Sequence, residues 1–162
     1  MHQVEQVPRR GPRDTMKTNT SLDASPVHLL HRAGQRAAEI FDAAVGGKGL
    51  TPRQYAILLA LSENEGVSQT DLVERTGIDR STLADVVRRM IKKGLVLRRR
   101  TKEDQRAYAV RLSEKGRQSL SETVAAANAA DQRALSSLPS DKRKQFLEHL
   151  AAVASTTVDR SI

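Results

Sequence analysis

The sequence predicts a mainly α-helical protein with one small β-hairpin. Apolar residues recur at helical spacing through most of the chain from Leu29 to Val153, which indicates a series of amphipathic helices. The spacing changes between residues 95 and 112, where two short runs have the character of strands. Aromatic residues make up only 2% of the chain, so the core has to consist of aliphatic side chains, which suit helices.

The length and the net charge limit the classes of protein to which the chain can belong. Its 162 residues suffice for one domain with a real hydrophobic core. The net charge of +8 favours a polyanionic partner, either nucleic acid or an anionic membrane. A soluble basic protein without such a partner is the alternative, and the distribution of the charges has to decide.

The residue types that are missing exclude several kinds of chemistry. The absence of cysteine excludes thiol redox sensing, disulfide bonds and thiolate zinc sites, and four scattered histidines make a poor metal site. We therefore expect neither a metal nor a cofactor. The longest apolar run, from Tyr55 to Leu61, is too short to cross a bilayer, and no apolar signal sequence begins the chain. These features predict a cytoplasmic protein.

The polar N-terminal segment gives way to the first helix at Ser25. Residues 1–24 lack periodicity, which predicts a disordered basic tail, and residues 25–162 are predicted to form a single domain. Ser25 and Pro26 are typical of a helix N-terminus, and the glycines that begin at Gly46 end the helix. The Gly-Gly-Lys-Gly segment there lacks the spacing and the preceding strand of a phosphate-binding loop.

Capping residues mark the next three helices. A capping box from Thr51 to Gln54 opens the second helix. Ser68 caps a short third helix that ends at Gly77, where the turn needs a residue with positive φ. Asp79 caps the fourth helix, whose apolar residues share one stripe: Leu83, Val86, Val87, Met90 and Ile91.

A basic hairpin and two further helices complete the predicted fold. Residues 95–97 and 107–112 are the predicted strands, and the loop between them, from Arg98 to Arg106, carries five cations against two carboxylates. Ser113 caps the fifth helix. Pro139 separates it from a sixth, because proline is poorly tolerated inside a helix.

Two short helices joined at a glycine turn and followed by a basic hairpin have the order of a winged helix-turn-helix, a fold that reads DNA. The fourth helix would offer its polar face to the major groove, and an arginine at the hairpin tip suits the minor groove. Asp104 is predicted to brace the hairpin, because phosphates would repel it. The predicted DNA contacts are Ser68, Gln69, Arg80, Ser81, Thr82, Asp85, Arg88, Arg89, Arg100, Lys102 and Arg106.

Each of these features also has a plainer explanation. A charged helix face is commonly only solvated, and an exposed hairpin is commonly only an edge, so it is the ordered combination that favours DNA binding. A ligand-independent architectural DNA-binding protein is the alternative to a sequence-specific regulator. An enzyme is disfavoured, because the sequence shows no nucleophile paired with a base, no phosphate loop and no pair of acids at catalytic spacing.

The chain resembles the MarR family of bacterial transcriptional regulators. The similarity covers most of residues 50–116 and includes the Asp-x-Arg signature of the wing at residues 104–106. It is carried by Leu50-Thr51-Pro52 with Gln54-Tyr55, Ser68-Gln69-Thr70-Asp71-Leu72, Asp79-Arg80-Ser81-Thr82-Leu83, Lys93-Gly94-Leu95-Val96, Asp104-Gln105-Arg106, Val110-Arg111-Leu112-Ser113 and Gly116.

The resemblance implies a homodimer that binds a pseudo-palindromic operator. Residues of about 50–116 would form the DNA-binding core, and the outer helices, about 25–46 and 117–160, would form the dimer. The apolar faces of those outer helices support a dimer independently, because they exceed what one small core can bury. Arg106 would enter the minor groove and Asp104 would brace the wing. The implied function is repression that is released by a small aromatic metabolite, such as an aromatic acid or its CoA thioester.

The ligand site is less marked than the DNA-binding site. His28 and His31 share a helix face, Arg32 lies beside them, and such side chains can hold a carboxylate or phosphate, although they are more often polar surface or dimer contacts. Tyr55 is a further candidate that is more typical of the core. The absence of cysteine removes the thiol-oxidation branch of the family, and the absence of tryptophan argues against the urate-responsive branch.

Overall fold

A computed structural model describes residues 21–47, 49–64, 66–100 and 108–156. The chain divides into two compact units, Met1–Gly34 and Gln35–Ile162. A short 3₁₀ turn, Leu22–Ala24, precedes the first helix. The helices are α1 (Pro26–Val45), α2 (Pro52–Glu63), α3 (Gln69–Thr76), α4 (Arg80–Lys92), α5 (Glu114–Ala134) and α6 (Ser140–Ala154), and the strands are β1 (Val67–Ser68), β2 (Val96–Arg100) and β3 (Tyr108–Leu112).

Side-chain caps begin the helices at the predicted residues. At α2, the Gln54 N–H donates to Thr51 Oγ1 at 3.3 Å and the Thr51 N–H donates to Gln54 Oε1 at 3.1 Å. Ser68 and Asp71 form the same reciprocal pair at α3. Ser113 accepts from the Gly116 N–H at 2.9 Å and opens α5. Each cap satisfies backbone donors that would otherwise lack partners, so the boundaries follow from local sequence.

The turn between α3 and α4 is made at Gly77. This residue has a φ of 66°, and its N–H donates to the Val73 carbonyl at 2.9 Å. A side chain with a branched Cβ would be strained in this left-handed conformation. The predicted positive φ is therefore confirmed, and it allows α4 to start only four residues after α3 ends.

The main core lies under the helix-turn-helix. Four residues of the α4 stripe are buried, as predicted, and they pack with the fully buried Ile57, Leu58 and Leu72. The prediction is wrong for Ile91, which is 38% exposed. Ile91 lies roughly 90° around the helix from the centre of the buried stripe, so helical spacing alone places it at the edge of the buried face.

The three strands form one antiparallel sheet in the order β1-β3-β2. Val67 pairs with Val110, and Val96 pairs with Leu112. The prediction missed β1, because two residues are too few to show strand alternation. The prediction also ended the strand at residues 95–97 too early. The corresponding strand, β2, runs to Arg100, so residues 98–100 are paired strand residues rather than loop.

A second, smaller core lies between α1 and α5. Phe41 packs on Ala127 and Ala130, and its ring lies 5.5 Å from that of Tyr55. The small side chains of these two alanines leave room for the Phe41 ring. Tyr55 also packs against the main core, so α2 connects the two clusters.

The last helix leaves its apolar residues uncovered in the single chain. As predicted, a break around Pro139 separates α5 from α6. No residue of α6 is buried, and Phe146, Leu147 and Val153 are 39%, 50% and 51% exposed. Among the helices described, none is both long enough and apolar enough to cross a membrane.

Candidate nucleic-acid interface

The first turn of α4 is held by its cap. Asp79 accepts a hydrogen bond from the Thr82 N–H at 2.9 Å and another from the Ser81 hydroxyl at 2.7 Å. The Thr82 hydroxyl and N–H, and then the Ser81 hydroxyl, hold the pKa of the Asp79 carboxyl well below its usual range. Ser81 and Thr82 are therefore pre-positioned at the helix N-terminus, where hydroxyls and backbone donors can meet bases or phosphates.

This cap predicts a pH dependence of stability. The lowered pKa means that the Asp79 contribution is fully present above the ordinary carboxyl value of 3.8 and is lost as the pH falls below it. Asparagine also caps helices but does not titrate in this range. We expect the wild type to be more stable than Asp79→Asn at about pH 7, and the difference to shrink toward about pH 3. Thermal unfolding of both proteins at each pH measures this, and a difference that does not change with pH would contradict it.

The outward face of α4 combines the predicted basic residues with one acid. Arg80, Arg88 and Arg89 are exposed, and Asp85 is half-buried. The Asp85 carboxylate pairs with Arg88 at 3.1 Å and also with Arg89. The sequence placed all four among the DNA contacts, but it did not predict that Asp85 would engage two of the arginines.

The start of α3 carries two further predicted DNA contacts, Ser68 and Gln69. The hydroxyl and the N–H of Ser68 both donate hydrogen bonds to the Asp71 carboxylate. Gln69 is the first residue of α3 and is half-buried. These two predicted contacts are therefore located at a helix N-terminus, where backbone N–H groups favour phosphate.

The base of the wing carries a cationic cluster on an aromatic ring. The Arg98 guanidinium carbon lies 4.1 Å from the centroid of the Tyr108 ring, and that of Arg100 lies at 5.8 Å. Strand register brings the three side chains together. Arg100 pairs with Tyr108 across the hairpin, and Arg98, which pairs with Val110, lies two residues before Arg100 on the same face of β2. The ring restrains both arginines by cation–π attraction. Tyr108 was missed by the sequence analysis, although it is the one aromatic residue in the basic hairpin.

Three predicted wing residues cannot be placed. Lys102, Asp104 and Arg106 lie in residues 101–107, outside the described part of the chain. Their roles at the tip of the wing stay predictions. The described strands end at Arg100 and Tyr108, which pair with each other.

A polar joint connects the end of α4 to the start of α5. The Ser113 hydroxyl donates to the Gly94 carbonyl at 2.6 Å, and Lys115 Nζ donates to the Lys93 carbonyl at 2.8 Å. Gly116 packs directly against the Leu95 carbonyl, which a Cβ at that position would approach to 2.0 Å. These contacts hold the end of α4 against the start of α5.

The predicted ligand residues occupy two different environments. On α1, His28 is half-buried, and His31 and Arg32 are exposed. Tyr55 is half-buried between the two cores, and burial, followed by the charge of Asp131, raises its pKa. The arrangement of Tyr55 is that of a core residue.

A cavity of about 310 Å³ opens beside the joint. It combines an apolar wall with two lysines and one glutamate, and Tyr55 is not in its lining. Its size lies at the lower end of small-molecule sites. It is lined by Val45, Gly49, Leu50, Lys93, Leu95, Lys115, Ser119, Glu122, Thr123 and Ala126.

Residues 48–107, which span the helix-turn-helix and most of the hairpin, match the MarR family. A probable transcriptional regulator from Pseudomonas aeruginosa shares 34% identity, covers 82% of this chain and 99% of its own, and superimposes with a TM-score of 0.78. BpsR of Bordetella bronchiseptica, whose DNA binding is regulated by 6-hydroxynicotinic acid, gives 27% identity, coverages of 86% and 99%, and a TM-score of 0.80.

The transcriptional repressor CouR has been solved on DNA and with a ligand. On a 23-mer DNA duplex it gives 30% identity, coverages of 82% of this chain and 94% of its own, and a TM-score of 0.74. A structure of CouR with p-coumaroyl-CoA also matches, with a TM-score of 0.75. The helix-turn-helix, the wing and these similarities together show that the chain belongs to the MarR family of DNA-binding, non-enzymatic transcriptional regulators.

Proposed function

We propose that this protein is a homodimeric repressor that leaves its operator when it binds an aromatic acid or the CoA thioester of one. The observation that carries the proposal is the two-sided α4: one stripe is buried in the core, and the opposite face presents a capped N-terminus with hydroxyls and arginines. Such a helix can enter the major groove without exposing its core. Because its DNA partner lies in the cytoplasm, we place the protein there.

Each part of the winged domain has its own task in this proposal. Ser81 and Thr82 contact bases or phosphates at the N-terminus of α4, and Arg88 and Arg89 contact the duplex about two turns further along the helix. Arg98 and Arg100 lie at the base of the wing and supply positive charge near the minor groove. Arg106, at the predicted wing tip, enters that groove.

Exposed apolar side chains on α6 support the dimer. A monomer that left Phe146, Leu147 and Val153 exposed would carry an apolar stripe in water, which is typical of an interface. The 23-mer duplex of the CouR complex is about two helical turns long, which is enough for two half-sites one turn apart. A pseudo-palindrome of that size would suit a dimer of this chain.

The cavity beside the α4–α5 joint supports a small effector. Its apolar wall suits a planar ring, and Lys93 and Lys115 can attract a carboxylate or a phosphate. BpsR responds to 6-hydroxynicotinic acid, and CouR binds p-coumaroyl-CoA, so acids and thioesters of this kind are the effector class that we propose. His28, His31 and Arg32 stay predicted ligand contacts.

A DNA titration tests the proposal. The duplex that lies upstream of the protein's own gene is compared with a random duplex of equal length at fixed salt. We expect a preference of about 10³-fold or more for a regulator. Equal affinity for the two duplexes would instead indicate the architectural alternative. Addition of 6-hydroxynicotinic acid or p-coumaroyl-CoA, as probes of the two effector classes, should weaken binding to the specific duplex while benzyl alcohol, which lacks the acid group, should not.

A further inference from the structure

We propose that Asp85 determines specificity by holding Arg88 and Arg89 away from non-specific DNA phosphates until a correct base sequence displaces them. The inference rests on the proposed placement of α4 in the major groove. Asp85 is the single carboxylate within α4, whose residues the structure describes completely. It lies near the middle of the face opposite the buried stripe, so a carboxylate occupies the point at which a bound duplex would be nearest.

The carboxylate of Asp85 forms ion pairs with two arginines. Asp85 Oδ1 lies 3.1 Å from Arg88 Nη2 at spacing i,i+3, and the other oxygen pairs with Arg89 at i,i+4. The three side chains remain 43%, 67% and 62% exposed, so water and DNA can both reach them. One carboxylate thus partly neutralises two guanidinium groups that would otherwise be free for any phosphate.

Exposed ion pairs of this kind are weak, and this weakness suits a switchable contact. On random DNA, release of the arginines would leave the carboxylate facing phosphates without a partner, and this repulsion opposes binding. On a correct site, a cytosine amino group in the major groove can donate to the carboxylate in place of the arginines. The arginines are then free for guanine or for phosphate.

A purely structural role is the competing explanation. Asp–Arg pairs at i,i+3 and i,i+4 stabilise helices slightly wherever they occur. A structural role would alter thermal stability and would change affinity for all DNA sequences by a common factor. The proposed role instead changes the ratio between operator and random duplex, and it changes the salt dependence of random binding.

The test compares wild type with Asp85→Asn on the operator and on a random duplex over a range of salt concentrations. We expect random-duplex affinity to rise roughly tenfold, with a slope of log K against log salt that is steeper by about one phosphate contact per protomer. Operator affinity should stay constant or fall, so specificity drops about tenfold or more. Thermal unfolding of both proteins checks that the substitution leaves the fold intact.

Two further variants make the outcome decisive. Glu63→Gln is the matched control, because it removes a carboxylate from another exposed arginine pair, Glu63–Arg75 at 3.7 Å, and should leave specificity unchanged. In an Arg88→Gln/Arg89→Gln background, Asp85→Asn can relieve only the repulsion between the carboxylate and the phosphates, so random-duplex affinity should rise by less than in the wild-type background and the slope of log K against log salt should not change, because no arginine is released. An equal rise on both duplexes, or no change on either, would overturn the inference. If the wild type itself shows no preference for the operator, the proposed function fails instead.

Discussion

Gly116→Ala should destabilise the protein by about 3 kcal/mol, although a glycine-to-alanine change inside a helix ordinarily stabilises it by about 0.5–1 kcal/mol. The reversal of sign comes from packing. A methyl group at residue 116 would lie 2.0 Å from the Leu95 carbonyl oxygen, a backbone atom that cannot rotate away. To relieve the clash, α5 would have to separate from the end of α4, which would break the polar joint.

Urea unfolding at one fixed protein concentration measures the effect, since the stability of a dimer depends on concentration. Gly34→Ala is the control, because the added methyl group meets no atom within 4 Å and lies in α1. Its stability should equal or slightly exceed that of wild type. A Gly116→Ala protein as stable as wild type would show that α5 does not rest on the Leu95 backbone.

Leu147→Asp should convert the protein to a monomer and reduce operator affinity by about 100-fold or more. The substitution places a carboxylate in the apolar stripe of α6, which the proposed dimer buries, and an unpaired buried charge is strongly unfavourable. A monomer can occupy only one half-site at a time, so the gain from linked binding is lost. Light scattering after size-exclusion chromatography gives the oligomeric state, and titration with operator DNA gives the affinity.

Gln145→Asp provides the comparison for this change. It introduces the same charge at an exposed position of the same helix, away from the apolar stripe, and should leave a DNA-binding dimer. If Leu147→Asp remains dimeric and binds the operator normally, α6 is not the dimer interface. A monomer that keeps full affinity would instead show that the two half-sites are bound independently.

The sequence predicted the helices well because their signals are local. Each cap at Thr51, Ser68 and Ser113 involves a residue three positions away, so a short stretch of sequence determines the helix boundary. The turn at Gly77 is determined in the same way by one residue. The buried stripe of α4 could be predicted from helical periodicity and the assumption of a single core.

The features that the sequence did not predict depend on partners that are distant along the chain. β1 exists because Val67 meets Val110, and residues 98–100 form a strand because β3 lies beside them. Their charge made them resemble a loop, yet pairing with β3 satisfies their backbone groups. The stacking of Arg98 on Tyr108 likewise depends on strand register, which the hairpin length alone does not determine.

The candidate site was predicted by residue type more fully than by arrangement. The exposed face of α4 holds the expected arginines and hydroxyls. The pairing of Asp85 with two of those arginines follows the same i,i+3 and i,i+4 spacing that identified the stripe, so that pattern could have been applied to charges as well. The joint at Gly116 had no comparable signal, because a glycine inside a helix does not reveal which backbone atom it faces.

The joint between α4 and α5 couples the orientations of the two helices, because the end of one is held against the start of the other. α5 has 21 residues and is therefore about 31 Å long, so a tilt of about 5° at one end would displace the other by nearly 3 Å. Half-sites one turn apart are separated by about 34 Å, so in the proposed dimer a displacement of that size in each protomer would spoil the simultaneous fit of both α4 helices. The cavity that includes Lys93 and Lys115 lies beside this joint, so the effector proposed above would bind where a small change in the angle between α4 and α5 has its origin.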